Sequence, residues 1–319
     1  MRIFLTGGAG CLGSNLTERF LGQGHEVLIL DNFSTGKREI FPDQLPAGLV
    51  IKEGSVEDLG LVVSLMEKFQ PSHVIHAAAA YKDPDDWATD ASVNVIGSIN
   101  VARAAEKNGV QRLVNLQTAL CYGRPDEVPI PITAPVRPFT SYGVSKTAGE
   151  MYMMQSSVPT VSLRLANVTG PRLAIGPIPT FYQRLKAGKG CFCSDTVRDF
   201  LDIQDFFGVI DRVLQADAPV GVYNISTGEG RTIKDVFDAV VAHLGIEPVG
   251  DVPIVPPGDD DVPAVVLDPS ETTARLGWQA RYDFKATMAR MLAWYDQHGI
   301  DAIYSHLKAP ATEQTGDAR

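Results

Sequence analysis

The chain has 319 residues, 45% of them hydrophobic, and carries a formal net charge of −10 at pH 7. This length and composition predict one large domain with a smaller appended lobe and a sizeable core. The excess of acidic residues argues against nucleic acid or an anionic membrane as a partner, and no apolar run is long enough to span a bilayer.

The first half of the chain alternates short apolar runs with segments of helical periodicity. The predicted strands are Arg2–Thr6, Glu26–Asp31, Leu49–Glu53, His73–Ala77, Arg112–Gln117 and Thr160–Leu165. The predicted helices between them are Leu12–Gln23, Leu59–Phe69, Ala88–Asn108 and Tyr142–Ser156. Such alternation indicates a parallel sheet covered by helices on both faces. We therefore expect an α/β protein with a doubly wound, nucleotide-binding Rossmann domain over residues 1–168.

After Asn167 the pattern is broken by several prolines, and shorter segments follow. These segments predict a smaller C-terminal α/β substrate-binding lobe over residues 169–308, with part of residues 199–225 returning to the first domain. The predicted helices are Thr180–Ala187, Gln204–Gln215 and Ile233–Leu244, and the predicted strands are Asp199–Asp202 and Tyr223–Ile225. The stretch Pro248–Pro263, rich in Pro and Asp, is predicted as a loop, and the polar end Ala309–Arg319 as a disordered tail.

A glycine-rich turn follows the first strand and opens the first helix. Gly7, Gly10 and Gly13 have the spacing G-x-x-G-x-x-G. Glycine permits a tight turn and lets the backbone approach a pyrophosphate, which the free N–H groups of the helix N-terminus then bind. The position at the first strand–helix junction makes this a dinucleotide-binding signal.

The second strand ends in Asp31, where a carboxylate can accept both hydroxyls of an adenosine ribose. It would repel a 2′-phosphate, so NAD is favoured over NADP. Lys37 and Arg38 lie close by in the sequence and could support a 2′-phosphate, which leaves NADP as an alternative.

A second motif, Tyr142-x-x-x-Lys146, lies at a predicted helix start, so its two side chains share one face. A Lys ammonium near a phenol favours the phenolate, and we expect it to lower the pKa of Tyr142. The phenol can then exchange a proton with a substrate hydroxyl. Thr118 ends the fifth strand, at the sheet edge where such folds bind ligands.

The four cysteines form no disulfide framework, and the Cys191/Cys193 pair alone supplies too few ligands for a zinc site. The chain starts directly with a strand pattern and shows no signal peptide. We therefore expect reduced thiols, no bound metal and a cytoplasmic location.

Together these motifs resemble the extended short-chain dehydrogenase/reductase family, and within it the NAD-dependent sugar epimerases and dehydratases, in particular the UDP-sugar 4-epimerases. The resemblance runs from Arg2 to about Trp294. Besides the glycine turn, Asp31 and the Tyr/Lys pair, the matching motifs are Ala77–Ala79, Asn94-Val95-x-Gly97, Thr118 to Gly123, Arg164 to Asn167 with Gly170-Pro171, Arg198–Phe200, Tyr223–Ile225 and Leu276–Trp278.

The resemblance implies NAD as the cofactor and assigns a set of residues to it. Asp31 and Asn32 correspond to contacts with the adenosine ribose, and Lys146 to an anchor of the nicotinamide ribose. Ser55 departs from the Asp usual in the family, which weakens one contact to adenine. The residues expected to contact the cofactor are Gly7, Gly10, Cys11, Leu12, Gly13, Asp31, Asn32, Ser34, Thr35, Gly36, Ser55, Val56, Ala77, Ala78, Ala79, Asn94, Tyr142, Lys146 and Ala166.

The resemblance also implies a nucleotide-diphosphate sugar as substrate, with Arg198 holding the diphosphate through its planar guanidinium. Tyr142, Lys146 and Thr118 are the expected catalytic residues. The expected substrate contacts are Lys82, Thr118, Asn167, Cys191, Cys193 and Arg198. The partner expected for the chain is a second copy, joined in a four-helix bundle by Ala88–Asn108 and Tyr142–Ser156.

The predicted reaction is a redox-neutral epimerisation at C4 through a transient keto sugar. Dehydratases of the family carry acidic residues directly after the Thr or Ser of the fifth strand, whereas here the stretch reads Thr118-Ala119-Leu120-Cys121. A keto-sugar reductase remains the main alternative. A catalytically silent NAD-binding protein is disfavoured, because such proteins typically lose the Tyr or the Lys.

Two loops set this chain apart from the family. The stretch Val255–Val262 lacks the second diphosphate Arg that sugar-nucleotide epimerases often have and carries Asp259, Asp260 and Asp261 instead. Because acids repel a diphosphate, we expect weak binding of UDP-glucose and a pocket for a less common sugar. The loop Tyr81–Trp87 follows the fourth strand and should overhang the nicotinamide end, either as a substrate contact or as a solvated acidic loop.

Overall fold

The computed structural model describes residues 1–81, 83, 85–247, 251–258 and 261–300. Its strands are, in chain order, β1 (Arg2–Thr6), β2 (Glu26–Asp31), β3 (Leu49–Glu53), β4 (His73–His76), β5 (Arg112–Thr118), β6 (Thr160–Leu165), β7 (Asn167–Thr169), β8 (Cys193–Ser194), β9 (Val197–Arg198), β10 (Phe200–Asp202), β11 (Gly221–Ile225), β12 (Arg231–Thr232), β13 (Ile254–Val255) and β14 (Ala264–Val265). Its helices are α1 (Cys11–Gly22), α2 (Leu59–Phe69), α3 (Trp87–Asp90), α4 (Gly97–Lys107), α5 (Ser141–Met153), α6 (Pro177–Lys186), α7 (Ile203–Val213), α8 (Ile233–Leu244), α9 (Ser270–Leu276) and α10 (Phe284–His298).

A seven-stranded sheet in the order β11-β6-β5-β4-β1-β2-β3 forms the centre of the molecule. All of its neighbouring strands pair in parallel. The chain moves outward from β1 to β3 in one direction and then crosses to β4 on the other side of β1. At such a switch point the carboxyl ends of the strands leave a crevice for a ligand. The predicted doubly wound α/β fold is confirmed.

The predicted sheet strands agree closely with the observed ones. β1, β2, β3 and β6 have the predicted bounds, β4 ends one residue earlier at His76, and β5 runs one residue further to Thr118. β11 extends the predicted Tyr223–Ile225 and pairs with β6 as the edge strand. These segments were recognisable because their buried, β-branched residues leave a strong apolar pattern.

The predicted helix Ala88–Asn108 is corrected in one respect. The chain forms α3, then a π-helical turn over Ala91–Ile96, and then α4. A π turn inserts an extra residue into the helix and leaves no periodic signal in so short a segment. No helix within the described ranges has the length and apolar character needed to cross a bilayer.

Two apolar clusters cover the two faces of the sheet. One includes Phe20 of α1 and Phe206 of α7, both fully buried. The other includes Met66 of α2 and Val101 of α4, also fully buried. Helices on both faces explain why the strands themselves are apolar on both sides.

The C-terminal lobe has its own apolar cluster between α6, α8 and α10. Short strands join it to the sheet domain, with β9 lying between β12 and β14. The predicted loop Pro248–Pro263 is corrected, because β13 within it pairs in parallel with β8. Cys193 N donates to Pro253 O at 2.8 Å, a contact between distant segments that no local pattern reveals. The predicted tail Ala309–Arg319, together with Pro248–Gly250, lies outside the described residues.

Candidate cofactor and substrate cleft

A cleft of about 650 Å³ opens at the carboxyl ends of β1, β4, β5 and β6. Most of the residues that the sequence assigns to cofactor, substrate and catalysis lie on its wall. They are Gly7, Gly10, Cys11, Leu12, Gly13, Asp31, Asn32, Ser34, Thr35, Ser55, Val56, Ala77, Ala78, Ala79, Thr118, Tyr142, Lys146, Ala166, Asn167 and Arg198.

The glycine turn is as tight as a dinucleotide-binding turn must be. Gly7 has a φ of 68°, and a Cβ added to it would lie 2.6 Å from Ala78 N. A Cβ on Gly13 would lie 2.1 Å from Gly7 O. No side chain of the described ranges caps the N-terminus of α1 at Gly10, so its first N–H groups can bind an anion. The turn therefore fits a pyrophosphate.

Asp31 is held rigidly at the end of β2. Its Oδ2 accepts from Ala9 N and its Oδ1 from Phe33 N, both at 2.8 Å. Each carboxylate oxygen keeps a lone pair for a ribose hydroxyl, while the charge opposes a 2′-phosphate. Lys37 and Arg38, which could support such a phosphate, line a separate neighbouring pocket.

Two of the predicted cofactor residues do not line the cleft but shape it. A Cβ on Gly36 would lie 2.7 Å from Ala9, so this glycine lets its loop pack against the glycine turn. Asn94, in the π turn, accepts from Ala80 N at 2.8 Å and donates to Ala80 O at 2.9 Å and to Ser145 Oγ at 3.0 Å. Asn94 thereby fastens the chain after β4 to α5.

The predicted catalytic residues meet where β5 and α5 face each other. Thr140 caps α5 by accepting from Gly143 N at 3.1 Å, which places Tyr142 and Lys146 in its first two turns. Lys146 Nζ donates to Leu116 O at 2.8 Å. The register of helix and strand is thus fixed beside Thr118.

The pKa values of Tyr142 and Lys146 differ from the expectation drawn from the sequence. Burial raises the pKa of Tyr142, and the nearby Tyr81 and Asp90 raise it further. Burial lowers the pKa of Lys146 to about 8, while the charge of Glu150 opposes that change. The expected lowering of the Tyr142 pKa by Lys146 is therefore not found in the free protein, where desolvation of the phenol is the largest effect.

Arg198 reaches the cleft from the β9 strand. Its Nη1 donates to Val197 O and Val262 O, both at 2.8 Å, and its Nη2 pairs with Asp261. Its side chain is 15% exposed, so the guanidinium is confined at the edge of the cleft. Asn167 Nδ2 is bound to Asp199 O at 3.1 Å.

Three predicted substrate residues have other placements. Cys191 and Cys193 are buried in the apolar cluster of the lobe and do not line the cleft. Burial raises the pKa of Cys193 to about 11, so its thiol is a small apolar group there. Lys82 lies outside the described residues, as do Asp259 and Asp260.

Several cleft residues carry no signal that sequence reasoning used. They come from α3, from β7, from the stretch before α6 and from the first turn of α6. They include Thr89, Thr169, Leu173, Ile175, Pro177 and Ile178. For the four residues from Leu173 to Ile178, the one available signal was the proline-rich break in the strand–helix pattern after Asn167. Binding loops often follow the end of a strand.

The chain matches the family model of the NAD dependent epimerase/dehydratase family over residues 3–226. The solved structure of the Bordetella bronchiseptica enzyme WbmG in complex with NAD and UDP is 64% identical to it, with a TM-score of 0.93, and the match covers 97% of this chain and 99% of that one. WbmH of the same organism, in complex with NAD+, is 40% identical with a TM-score of 0.86, covering 94% and 99%.

The UDP-glucose 4-epimerase of Mycolicibacterium smegmatis is 29% identical over 316 residues, covering 92% of this chain and 98% of its own. The expected family resemblance and the expected cofactor, NAD, are confirmed. The chain belongs to the NAD dependent epimerase/dehydratase family.

Proposed function

We propose that this protein is an NAD-dependent epimerase of a nucleotide-diphosphate sugar and that it inverts the hydroxyl at C4. The observation that carries the proposal is that Thr118, Tyr142 and Lys146 share one cleft with Arg198. That cleft therefore combines a proton-transfer group with a guanidinium suited to a diphosphate. The names of relatives support the same reading, since they include UDP-glucose and UDP-arabinose 4-epimerases.

Each side chain has a defined task in this reaction. NAD, when bound, supplies a reversible hydride acceptor. Tyr142 takes the proton of the sugar hydroxyl as the keto sugar forms and returns it afterwards. Thr118 donates a hydrogen bond to the reacting oxygen, and Lys146 adds a positive charge beside the phenol. Ala119 and Leu120, which follow Thr118, cannot transfer the second proton that a dehydratase needs.

The test is incubation of the purified protein with a panel of UDP-sugars, followed by chromatography and NMR of the products. We expect a C4 epimer to form without added cofactor, because a redox-neutral cycle has no need to release NAD. Denaturation should free NAD into the supernatant. Net consumption of added reduced cofactor would instead identify a keto-sugar reductase, and bound NADP would contradict the role of Asp31.

We further propose that the pocket suits a sugar other than glucose, because Asp261 pairs with the one Arg assigned to the diphosphate. Calorimetry should then show weaker binding of UDP-glucose and UDP-galactose than of their uronic or amino-sugar relatives. Efficient interconversion of UDP-glucose and UDP-galactose would contradict this.

The assembly that we propose is a homodimer in which α4 and α5 of each copy form a four-helix bundle. The two helices pack side by side, and large apolar side chains are exposed on α5 and next to the start of α4. Val144 is 50% exposed, Met151 55% and Tyr152 50%, and Ile96 beside α4 is 48% exposed. An apolar surface of this kind on neighbouring helices is typical of a protein–protein interface.

A further inference from the structure

A buried ion pair lies one helical turn beyond Lys146, and the proposed chemistry makes no use of it. Arg164 on β6 donates to Glu150 on α5 through Nη2 at 2.6 Å and through Nε at 3.3 Å. The two side chains are 9% and 4% exposed. Ser162 Oγ adds a donor to Glu150 at 2.7 Å. Because a buried ion pair stabilises little more than an apolar pair of the same shape, stability alone does not account for it.

The remaining donors of Arg164 extend the pair into a chain of hydrogen bonds. Arg164 Nη1 donates to Tyr122 Oη at 3.0 Å. Tyr122 Oη donates in turn to Asn224 Oδ1 at 2.7 Å, and Asn224 Nδ2 donates to Ile130 O at 2.9 Å. Tyr122 and Asn224 are each 1% exposed. Every link is therefore shielded from water, where hydrogen bonds are strongest and most costly to break.

One end of this chain lies on the elements that carry the proton-transfer residues. Glu150 belongs to α5, as do Tyr142 and Lys146. Tyr122 ends the single helical turn that Thr118 caps. Arg164 thus joins the helix and the turn that together form the reacting end of the cleft.

The other end of the hydrogen-bond chain reaches residues 262–268, whose backbone binds the guanidinium of Arg198. Ile130 N donates to Val266 O at 2.8 Å, and Asp268 N donates to Ile130 O at 2.9 Å. A few residues earlier in the same segment, Val262 O accepts from the guanidinium of Arg198. The hydrogen-bond chain therefore connects the reacting end of the cleft with the guanidinium assigned to the diphosphate.

We propose that Arg164 and Tyr122 are positioning residues, which hold the proton-transfer residues and the diphosphate-binding Arg198 in one fixed relative geometry. The inference rests on the proposed function and adds two residues to it. Its energetic basis is that a reactant held about 1 Å out of place can react about a hundredfold more slowly. Arg198 binds the diphosphate, and the sugar then lies correctly beside Tyr142 only if Arg198 and Tyr142 keep the same relative position.

The test is Tyr122→Phe, which removes one oxygen atom and keeps the ring. The matched control is Tyr223→Phe, since Tyr223 is a fully buried tyrosine on β11 whose Oη donates to Pro219 O at 2.9 Å, away from the cleft. We expect kcat of Tyr122→Phe to fall about tenfold or more while KM and retained NAD stay within about twofold. Tyr223→Phe should keep kcat within about twofold, even if its Tm falls by as much as the Tm of Tyr122→Phe.

Wild-type kcat in Tyr122→Phe, or an equal loss in Tyr223→Phe, would overturn the proposal. Arg164→Lys gives a second variant that keeps the charge opposite Glu150 but loses the planar fork, and it should lose kcat in the same way. A readout without substrate is amide hydrogen exchange of the NAD-loaded protein. Tyr122→Phe should speed exchange in residues 119–130 and in residues 262–268 together, and the control should not.

Unchanged exchange in residues 262–268 would show that the two parts of the cleft are not coupled, even if the wild type proved inactive on nucleotide sugars. A wild type that does not turn over any nucleotide sugar would refute the proposed function and leave this exchange result to decide the coupling on its own.

Discussion

At the scale of single residues, the surroundings of Tyr142 decide how it can act as a base. Its ring lies edge-on to Tyr81, with 6.1 Å between the ring centroids. Asp90, 2% exposed, accepts from Ser141 Oγ at 2.7 Å, next to Tyr142 in the sequence. Burial, the second phenol and the buried carboxylate all disfavour the phenolate, so Tyr142 must lose its own proton before it can take one from the substrate.

The first prediction concerns the phenol itself. Tyr142→Phe removes the proton path and should lower kcat by a factor of about 10²–10⁴, because general acid–base catalysis contributes on that order. The cofactor should remain bound, since the glycine turn and Asp31 are untouched. Turnover and NAD content of the same preparation check both points. Near-normal turnover would show that another group is the base.

The second prediction concerns the pH profile. Burial is the main cause of the raised pKa of Tyr142 and Asp90 adds to it, so Asp90→Asn should lower that pKa and move the acidic limb of kcat/KM to lower pH. Asp86→Asn is the matched control, because Asp86 is exposed on the same helix and an Asn can still cap it at Thr89. An unchanged limb in Asp90→Asn, or an equal shift in the control, would contradict this electrostatic role.

At the scale of elements, the junction between β1 and α1 fixes how close the cofactor can lie to the sheet. Gly13, in the first turn of α1, faces Gly7 O so closely that even a methyl group has no room. Close packing of helix start against strand end is what lets the backbone N–H groups reach a pyrophosphate.

The third prediction tests this packing. Gly13→Ala should lower the free energy of unfolding by about 1–3 kcal/mol and release NAD, because its Cβ would lie 2.1 Å from Gly7 O. Gly22→Ala, at the other end of the same helix with nothing within 4 Å of its Cβ, should be neutral or stabilise by up to about 1 kcal/mol. Chemical denaturation and NAD content measure both. Retained NAD in Gly13→Ala would refute the close-approach argument.

Much of this arrangement could be predicted from the sequence, because it depends on local signals. The glycine turn, Asp31 and the Tyr142/Lys146 pair are set by neighbours within a few residues. The burial of Cys193 and the pairing of β13 depend on contacts between segments some sixty residues apart, which no periodicity records. The raised pKa of Tyr142 likewise depends on its burial, and on Tyr81 and Asp90, which approach it only in the folded chain.

At the scale of the whole molecule, the exposed apolar side chains of α5, with Ile96 beside α4, support the proposed partner copy. Met151 and Tyr152 would leave large apolar areas in water if the chain acted alone. Burial of such side chains stabilises an assembly by about 25 cal/mol per Å² before the cost of association.

The fourth prediction tests that assembly. Met151→Glu should convert a dimer into monomers at micromolar concentration, because a charge would be buried at the interface. Leu59→Glu is the control, since Leu59 is 46% exposed at the start of α2, outside the proposed interface. Light scattering coupled to size-exclusion chromatography measures both. A wild-type monomer, or a dimer that survives Met151→Glu, would contradict the four-helix bundle.

The cysteines lie in separate parts of the fold, so their reactivity can report which part unfolds first. Cys193 is buried in the lobe, and Cys121 is buried in a separate apolar cluster with Tyr122 and Ile130. Burial raises their pKa values to about 11 and about 12. The thiolate is the form that reacts with a maleimide or a disulfide reagent. Both thiols should therefore remain unlabelled until the structure around them unfolds. Mass spectrometry of protein labelled in rising denaturant would read out, peptide by peptide, whether the lobe loosens before the sheet.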